Sequence, residues 1–105
     1  MNATINLQAI ADELEFDLED IEMLLEVFIE SAYENLVKLE IAIKADDFEA
    51  IVQSAHAIKG SASNILLDEV TTIANKMEID AKDKDELSCK DLYEKLKISI
   101  DSLKN

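Results

Sequence analysis

The fold is indicated most strongly by residues 18–45, which read LEDIEMLLEVFIESAYENLVKLEIAIKA. Apolar side chains recur along this stretch in steps of three and four residues, the period of an α-helix with one buried face. The repeating apolar positions are Ile21, Leu25, Phe28, Ala32, Leu36, Leu39 and Ile43. Leu24 and Ile29 widen the face, so we expect the helix to contact two neighbours. The opposite side carries the acidic residues Glu19, Glu22, Glu26, Glu30 and Glu34. The spacing predicts one long amphipathic helix over residues 18–45.

Helical patterns of the same period flank this long helix. On its N-terminal side, Asn6 is placed to cap a short helix whose apolar face is Leu7, Ile10, Ala11 and Leu14. Asp17 is placed to cap the long helix itself. On the C-terminal side, Asp46 or Asp47 can cap a third helix over residues 48–65. The apolar stripe predicted for that helix is Phe48, Val52, Ala55, Ile58, Ala62 and Ile65.

Two further helices follow a short break near residues 64–69. The first is expected over residues 68–81, with Val70, Ile73, Ala74 and Met77 facing inward. Residues 80–86 are rich in charge and read as a loop. Ser88 is expected to cap the last helix, with Asp91 three residues later as in a capping box. The apolar stripe of that helix is Leu92, Leu96, Ile100 and Leu103.

Composition supports an all-α fold in one domain. The chain has 105 residues, 49% of them hydrophobic, which is enough for one core without disulfide or metal support. It has no proline and a single glycine, so hairpin turns are poorly supplied. We therefore expect residues 1–105 to form an antiparallel up-and-down four-helix bundle with an additional short N-terminal helix.

The charge of the chain excludes several classes of partner. The formal net charge is −14. Most of it falls in residues 1–50, where only Lys38 and Lys44 oppose the acidic side chains. Such a surface repels phosphate backbones and anionic lipid, so we expect no binding to nucleic acid or membranes. A protein partner with a basic rim is compatible with this charge.

Cysteine usage and the N-terminal sequence favour a cytoplasmic protein. Cys89 is the single cysteine, so an internal disulfide cannot form. We expect it near a helix start and half-buried, and it lacks a second histidine that would make it a nucleophile. The first seven residues have neither a basic segment nor the apolar segment of a signal peptide. No apolar run approaches the ~20 residues needed to span a bilayer.

Residues 54–62, which read SAHAIKGSA, carry the most informative side chains of the chain. They include its only histidine, His56, and its only glycine, Gly60. Helix geometry places both on an exposed stripe beside the core, together with Glu49, Gln53 and Ser63. Lys59 lies near the boundary, where its stem can cover apolar surface while its ammonium reaches outward.

This arrangement can hold a phosphoryl group. An exposed imidazole can be phosphorylated, a nearby cation can offset the transferred charge, and a glycine lets a partner approach closely. A helical glycine also costs about 1 kcal/mol relative to alanine. The alternative interpretation is an inert surface histidine beside a glycine that relieves crowding between helices. The combination of lysine at the third and glycine at the fourth following position favours the phosphoryl site.

The stretch from Ala55 to Ala62 resembles the motif of the histidine-containing phosphotransfer (HPt) domains of two-component phosphorelays. Asn64 and the pair Met77 and Glu78 are also similar to members of that family. The resemblance implies that His56 is the phosphoacceptor, that Lys59 stabilises the phosphoryl group and that Gly60 provides clearance. Gln53, one turn before His56, is either a hydrogen-bond donor to the phosphoryl group or partner, or an ordinary polar surface residue.

The resemblance also implies partners and cofactors. Receiver domains of response regulators or hybrid histidine kinases would exchange the phosphoryl group with the chain and would supply Mg²⁺. The chain would need no cofactor or metal of its own, would not autophosphorylate, and is expected to be a monomer. One departure concerns Leu66, which stands where many members have a second glycine. It leaves the shape of the loop after the third helix open.

Two other functions remain as alternatives. The first is a helical adaptor that docks a receiver or another signalling partner without carrying phosphate. The second is an acyl carrier, because Asp101-Ser102-Leu103 matches its attachment tripeptide, although Ser102 stands at the end of the chain instead of mid-chain. Asp80, Asp83, Asp85 and Glu86 could suggest calcium binding, but a solvated loop is the better interpretation. Their spacing does not match the EF-hand loop, and the required glycine is missing.

Overall fold

Five α-helices make up the computed structural model, which describes residues 5–104. They are α1 (Leu7–Leu14), α2 (Leu18–Lys44), α3 (Phe48–Asn64), α4 (Asp68–Lys82) and α5 (Glu86–Asp101), followed by a 3₁₀ turn over Ser102–Lys104. No strand occurs in residues 5–104. The predicted all-α class is therefore confirmed. Residues 1–4 and 105 lie outside the described part, and so does most of the N-terminal stretch that was compared with a signal peptide.

Side-chain caps begin three of the helices, at Asn6, Asp47 and Asp85. Asn6 accepts a hydrogen bond from the amide of Ala9 at 3.0 Å, and Asp47 from that of Ala50 at 3.1 Å. Both caps were predicted from the sequence. Of the two candidates Asp46 and Asp47, it is Asp47 that caps α3. Asp17 precedes α2 as expected, but its side chain makes no capping hydrogen bond.

The start of α5 differs from the prediction. Its cap is Asp85, whose carboxylate accepts from the amide of Ser88 at 3.1 Å. Ser88 was expected to be the cap, but it lies inside the first turn of α5. Most of the predicted loop at residues 80–86 is also helical, because α4 continues to Lys82 and α5 begins at Glu86. A capping aspartate at position 85 allows this short connection.

All four connections between helices use one backbone arrangement. Each contains a residue with positive φ: Glu15 (59°), Asp46 (51°), Leu66 (57°) and Lys84 (59°). The following amide then donates to the carbonyl five residues earlier: Phe16 to Ala11, Asp47 to Ala42, Leu67 to Ala62 and Asp85 to Asp80, at 2.8–3.0 Å. This is the Schellman motif, which normally takes glycine at the left-handed position. Leu66 therefore adopts the conformation that a glycine would favour, which settles the loop shape left open by the sequence.

The core lies between the four longer helices. Helix α2 contacts α3 and α5, and α4 contacts α3 and α5, while α1 packs on α2. The chain is thus a helical bundle in which α2 has two long neighbours, as expected. The largest fully buried side chains include Ile21, Leu39, Ile51, Ile58, Met77, Leu96 and Ile100. Leu24, which was expected to widen the buried face of α2, is instead exposed.

Cys89 belongs to this core. It lies in the first turn of α5, as expected, but it is fully buried and not half-buried. Burial, with the neighbouring charges of Asp80 and Asp85, raises the pKa of its thiol to about 11. At neutral pH the thiol is therefore protonated, and only the thiolate is nucleophilic.

None of the described helices is both long enough and apolar enough to cross a membrane.

Candidate functional site

His56 lies near the middle of α3 and points to solvent. Its side chain is 66% exposed. Glu49, Gln53, Gly60 and Ser63 are exposed on the same helix face, so the predicted polar stripe is confirmed. The core side of α3 holds Ala55 and Ile58, as expected. The imidazole is therefore accessible to a second protein while its helix is anchored in the core.

Glu78 of α4 holds one side of the imidazole ring. The Nδ1 atom of His56 lies 3.3 Å from each carboxylate oxygen of Glu78. Glu78 is only 7% exposed, and its neighbours on the same face of α4, Ala74, Met77 and Ala81, are buried as well. A buried carboxylate requires hydrogen-bond donors or positive charge around it. The ring of His56 supplies one such group.

Lys59 supplies the strongest contact to the same carboxylate. Its Nζ lies 2.7 Å from Oε1 of Glu78, and its side chain is 28% exposed. The expectation that the ammonium reaches outward is therefore wrong. The physical reason is the buried charge of Glu78, which α4 brings within reach of a flexible lysine on α3.

A third positive group, Lys82, approaches Glu78 from one turn further along α4. Its Nζ lies 3.5 Å from Oε2, and its side chain is 62% exposed. The hydrogen bond from Lys59 lowers the pKa of Glu78, against the opposing effect of burial and with further help from His56. Glu78 is therefore ionised at neutral pH.

The ionised carboxylate determines the tautomer of His56. A carboxylate only accepts hydrogen bonds, so the Nδ1 atom that faces it must carry the proton. In the neutral ring the lone pair is then on Nε2, on the side of the ring opposite Glu78. The ring is thus oriented with a nucleophilic nitrogen directed away from the bundle.

Gly60 has open space around it. A Cβ atom built at this position would meet no atom within 4 Å outside its own turn of helix. The part of the alternative interpretation in which the glycine relieves crowding between helices is therefore wrong. Its backbone is also ordinary helix, without positive φ. Within the described chain, no contact requires a glycine here.

Glu78 and Lys82 were not identified as site residues from the sequence. The sequence singles out Glu78 only through the similarity of the pair Met77 and Glu78 to the HPt family, and the predicted helix ends one residue before Lys82. A signal for Glu78 was present, however. Ala74, Met77 and Ala81 are buried on α4. Glu78 lies four residues after Ala74 and three before Ala81, so it is on the same face of the helix. A charged residue on a buried helix face calls for an identified partner.

The remaining candidate residues serve local structure. Ser102 begins the terminal 3₁₀ turn, and its hydroxyl donates to the carbonyl of Ser99 at 2.6 Å. Asp80 accepts hydrogen bonds from Ser88 and from Lys76. Asp85 is the α5 cap. Across residues 5–104, no three histidine, cysteine, aspartate or glutamate side chains are grouped so that they could hold a metal ion.

Two comparisons with known proteins find similarity over most of the chain. The model of the Hpt domain family matches residues 23–105. The fold is similar to the crystal structure of histidine-containing phosphotransfer protein B (HptB) from Pseudomonas aeruginosa PAO1, with a TM-score of 0.79 and 23% identity, covering 92% of this chain and 82% of that chain. No curated protein matches the chain. The family match covers most of the sequence, including the whole of α3 and α4, and the chain therefore belongs to the Hpt domain family.

Proposed function

We propose that the chain performs its role in a phosphorelay through His56, which accepts a phosphoryl group from an aspartate of one receiver domain and passes it to another. The observation that carries the proposal is the exposed imidazole whose Nδ1 atom is held by the ionised Glu78. An accessible ring of fixed orientation is what in-line transfer from a second protein requires. Lys59 stands beside it on the same helix.

The chemical step needs no proton transfer to solvent. The lone pair of Nε2 forms the N–P bond while the P–O bond of the receiver's aspartyl phosphate breaks, and the aspartate leaves as a carboxylate. The Nδ1 proton stays between the ring and Glu78. The negative charge of Glu78 offsets the positive charge that the ring gains. The reverse sequence of bonds returns the phosphoryl group to a receiver aspartate.

Mg²⁺ belongs to the partner in this proposal. Transfer between an aspartate and a histidine concentrates negative charge on the phosphoryl oxygens, which a metal ion stabilises in phosphoryl transfer generally. We assign that ion to the receiver domain and none to this chain. The contribution of this chain is Lys59, whose ammonium can turn from Glu78 to a phosphoryl oxygen on Nε2.

The docking face extends from the His56 stripe onto α2. Gln53 and Gly60 flank His56 on α3, and α2 packs beside α3. Helix α2 exposes several apolar side chains, namely Met23, Leu24, Val27, Val37 and Ile41. We propose that a receiver contacts this apolar surface, that acidic side chains of α2 form its rim, and that Gln53 contacts the phosphoryl group or the receiver.

The proposal includes a finer description of the fold. The four long helices form an antiparallel up-and-down bundle with α1 as an extra element, in a single domain and a monomer. The ring of contacts from α2 through α3, α4 and α5 supports this arrangement. The three short connections between these helices, each closed by a Schellman motif, support it too.

The test is phosphoryl transfer from a phosphorylated receiver domain of the same organism to the wild-type chain and to His56→Gln. We expect label on the wild type that is labile in acid and stable in base, and none on the variant. A control melting curve should show that the variant is folded. Receivers that bind both proteins but label neither would contradict the proposal and support the adaptor alternative.

A further inference from the structure

The lysines of this chain form several similar pairs on single helices, and the pair of Lys82 differs from the others. Pairs four residues apart join Lys44 to Glu40, Lys76 to Asp80, Lys90 to Glu86, Lys95 to Asp91 and Lys97 to Asp101. Exposed pairs of this kind contribute little to stability, because water and salt screen their charges. Lys82 has the same spacing, but its carboxylate partner is Glu78, which also contacts His56 and Lys59.

The geometry brings Lys82 close to the imidazole. Its Nζ and the Nδ1 atom of His56 lie within 3.5 Å and 3.3 Å of the same oxygen, Oε2 of Glu78. Lys59 occupies the other oxygen, Oε1, at 2.7 Å. The two ammonium groups therefore contact different oxygens of one carboxylate, and Nδ1 of His56 lies 3.3 Å from both oxygens. Lys82 is 62% exposed, so its side chain has freedom to turn.

The balance of charge distinguishes this spot from the rest of the molecule. Two lysines contact one carboxylate here, in a chain whose net charge is −14. A phosphoryl group adds about −1.5 to −2 of charge at neutral pH. If Lys59 turned to it alone, Glu78 would lose its strongest partner while a second anion appeared nearby. Because Lys82 also contacts Glu78, one lysine can stay on the carboxylate while the other binds the phosphoryl group.

We propose that Lys82 is a second cation of the phosphoryl site, which shares with Lys59 the contacts to Glu78 and to a phosphoryl oxygen on Nε2 of His56, so that one lysine stays on the carboxylate when the other turns to the phosphoryl group. The proposal rests on His56 being the phosphoacceptor. It makes no new bond and changes no proton. It assigns to α4 a direct part in stabilising the phosphorylated state, in addition to the orientation of the ring by Glu78.

The experiment compares Lys82→Gln with a matched control, Lys76→Gln. Lys76 lies on the same helix, is 64% exposed and pairs with Asp80, whose side chain is 14% exposed against 10% for Glu78. Both variants remove one charge and one such pair. The measurement is the equilibrium partition of label between a phosphorylated receiver and this chain, in buffers of low and high salt, with melting temperatures recorded alongside.

We expect Lys82→Gln to shift the partition toward the receiver by about three- to tenfold at low salt, and less at high salt because the charge is exposed. Lys82→Arg should restore it, and Lys76→Gln should match the wild type. A partition unchanged in Lys82→Gln, or an equal shift in Lys76→Gln, would overturn the role of Lys82 while label on His56 kept the proposed function. Absence of label on the wild type would instead overturn the proposed function itself.

Discussion

At the scale of single residues, the fold does not explain why position 60 is glycine. The position is helical and open, so alanine fits without a clash. We expect Gly60→Ala to raise the free energy of unfolding by about 1 kcal/mol, because alanine loses less backbone entropy than glycine in a helix. A chemical denaturation curve measures this gain.

The same variant tests clearance at the docking face. If a receiver approaches the backbone at Gly60, the added methyl group should slow labelling of His56 although the protein is more stable. A rise in stability with unchanged labelling would show that the clearance role is wrong. A loss of stability would contradict the open space that surrounds the position.

Glu78 shows why the site could be predicted only in part from the sequence. Residues 55–62 place histidine, lysine and glycine on one helix, and local spacing was enough to predict that His56 and Gly60 are exposed. The direction of Lys59 depends on a carboxylate 19 positions later in the chain. No local pattern gives the relative height of two helices, so the pairing of Lys59 with Glu78 required the tertiary structure.

At the scale of helices, the lengths were predicted well because apolar periodicity sets them. Helices α2, α3 and α4 each end within one residue of the expected position. The connections were harder to predict, because the residue that usually marks a Schellman motif is glycine and none of the four has one. At residues 80–86 the density of charge favoured a loop, whereas Asp85 acts as a cap and shortens it.

Lys84 offers a direct test of these glycine-free turns. Its φ is 59° and its side chain is exposed, so burial of the side chain does not compensate for the backbone strain. We expect Lys84→Gly to stabilise the protein by about 0.5–1 kcal/mol, because a side chain in the left-handed region costs about that much or more. Lys84→Ala is the control, since it removes the charge and keeps the Cβ. Equal stability of the two variants would contradict the explanation from backbone strain.

Leu66→Gly should lower the stability of the protein, in contrast to Lys84→Gly, although both residues have a positive φ. The side chain of Leu66 is partly buried and packs against the core. Removing the side chain relieves backbone strain but also removes apolar burial. Burial of a leucine contributes about 1.5–3 kcal/mol when it is complete. The leucine at this turn is therefore compatible with the fold because the side chain has somewhere to pack.

At the scale of the whole molecule, three carboxylates join the helices to one another. Glu78 on α4 binds Lys59 and His56 of α3, and Asp80 on α4 accepts a hydrogen bond from Ser88 of α5. Asp101 at the end of α5 accepts from Tyr33 of α2. Each link crosses between two neighbouring helices of the bundle. Their charged forms are thus part of what holds the helices in register.

These links predict how stability depends on pH. Hydrogen bonds from Lys59, Ser88 and Tyr33 are the main causes that lower the pKa values of Glu78, Asp80 and Asp101 respectively. A carboxyl group with a lowered pKa binds protons more readily in the unfolded chain. Its contribution is therefore complete above its ordinary pKa, 4.5 for Glu78 and 3.8 for the two aspartates, and is lost as the pH falls through the folded values.

The net charge has the opposite effect on stability over part of the same pH range. Lowering the pH from 7 toward the isoelectric point, about 4.2, relieves the mutual repulsion of the −14 charge. We therefore expect the free energy of unfolding to be steady or to rise slightly down to about pH 5, and then to fall steeply below pH 4.5. Urea denaturation at a series of pH values in moderate salt measures both limbs.

Glu78→Gln should be less stable than the wild type at pH 7. Its free energy of unfolding should fall less steeply in acid, because it has already lost one titrating link. A wild-type curve that kept rising below pH 4, or an acid slope unchanged in Glu78→Gln, would show that repulsion, and not the links between helices, governs the acid limb.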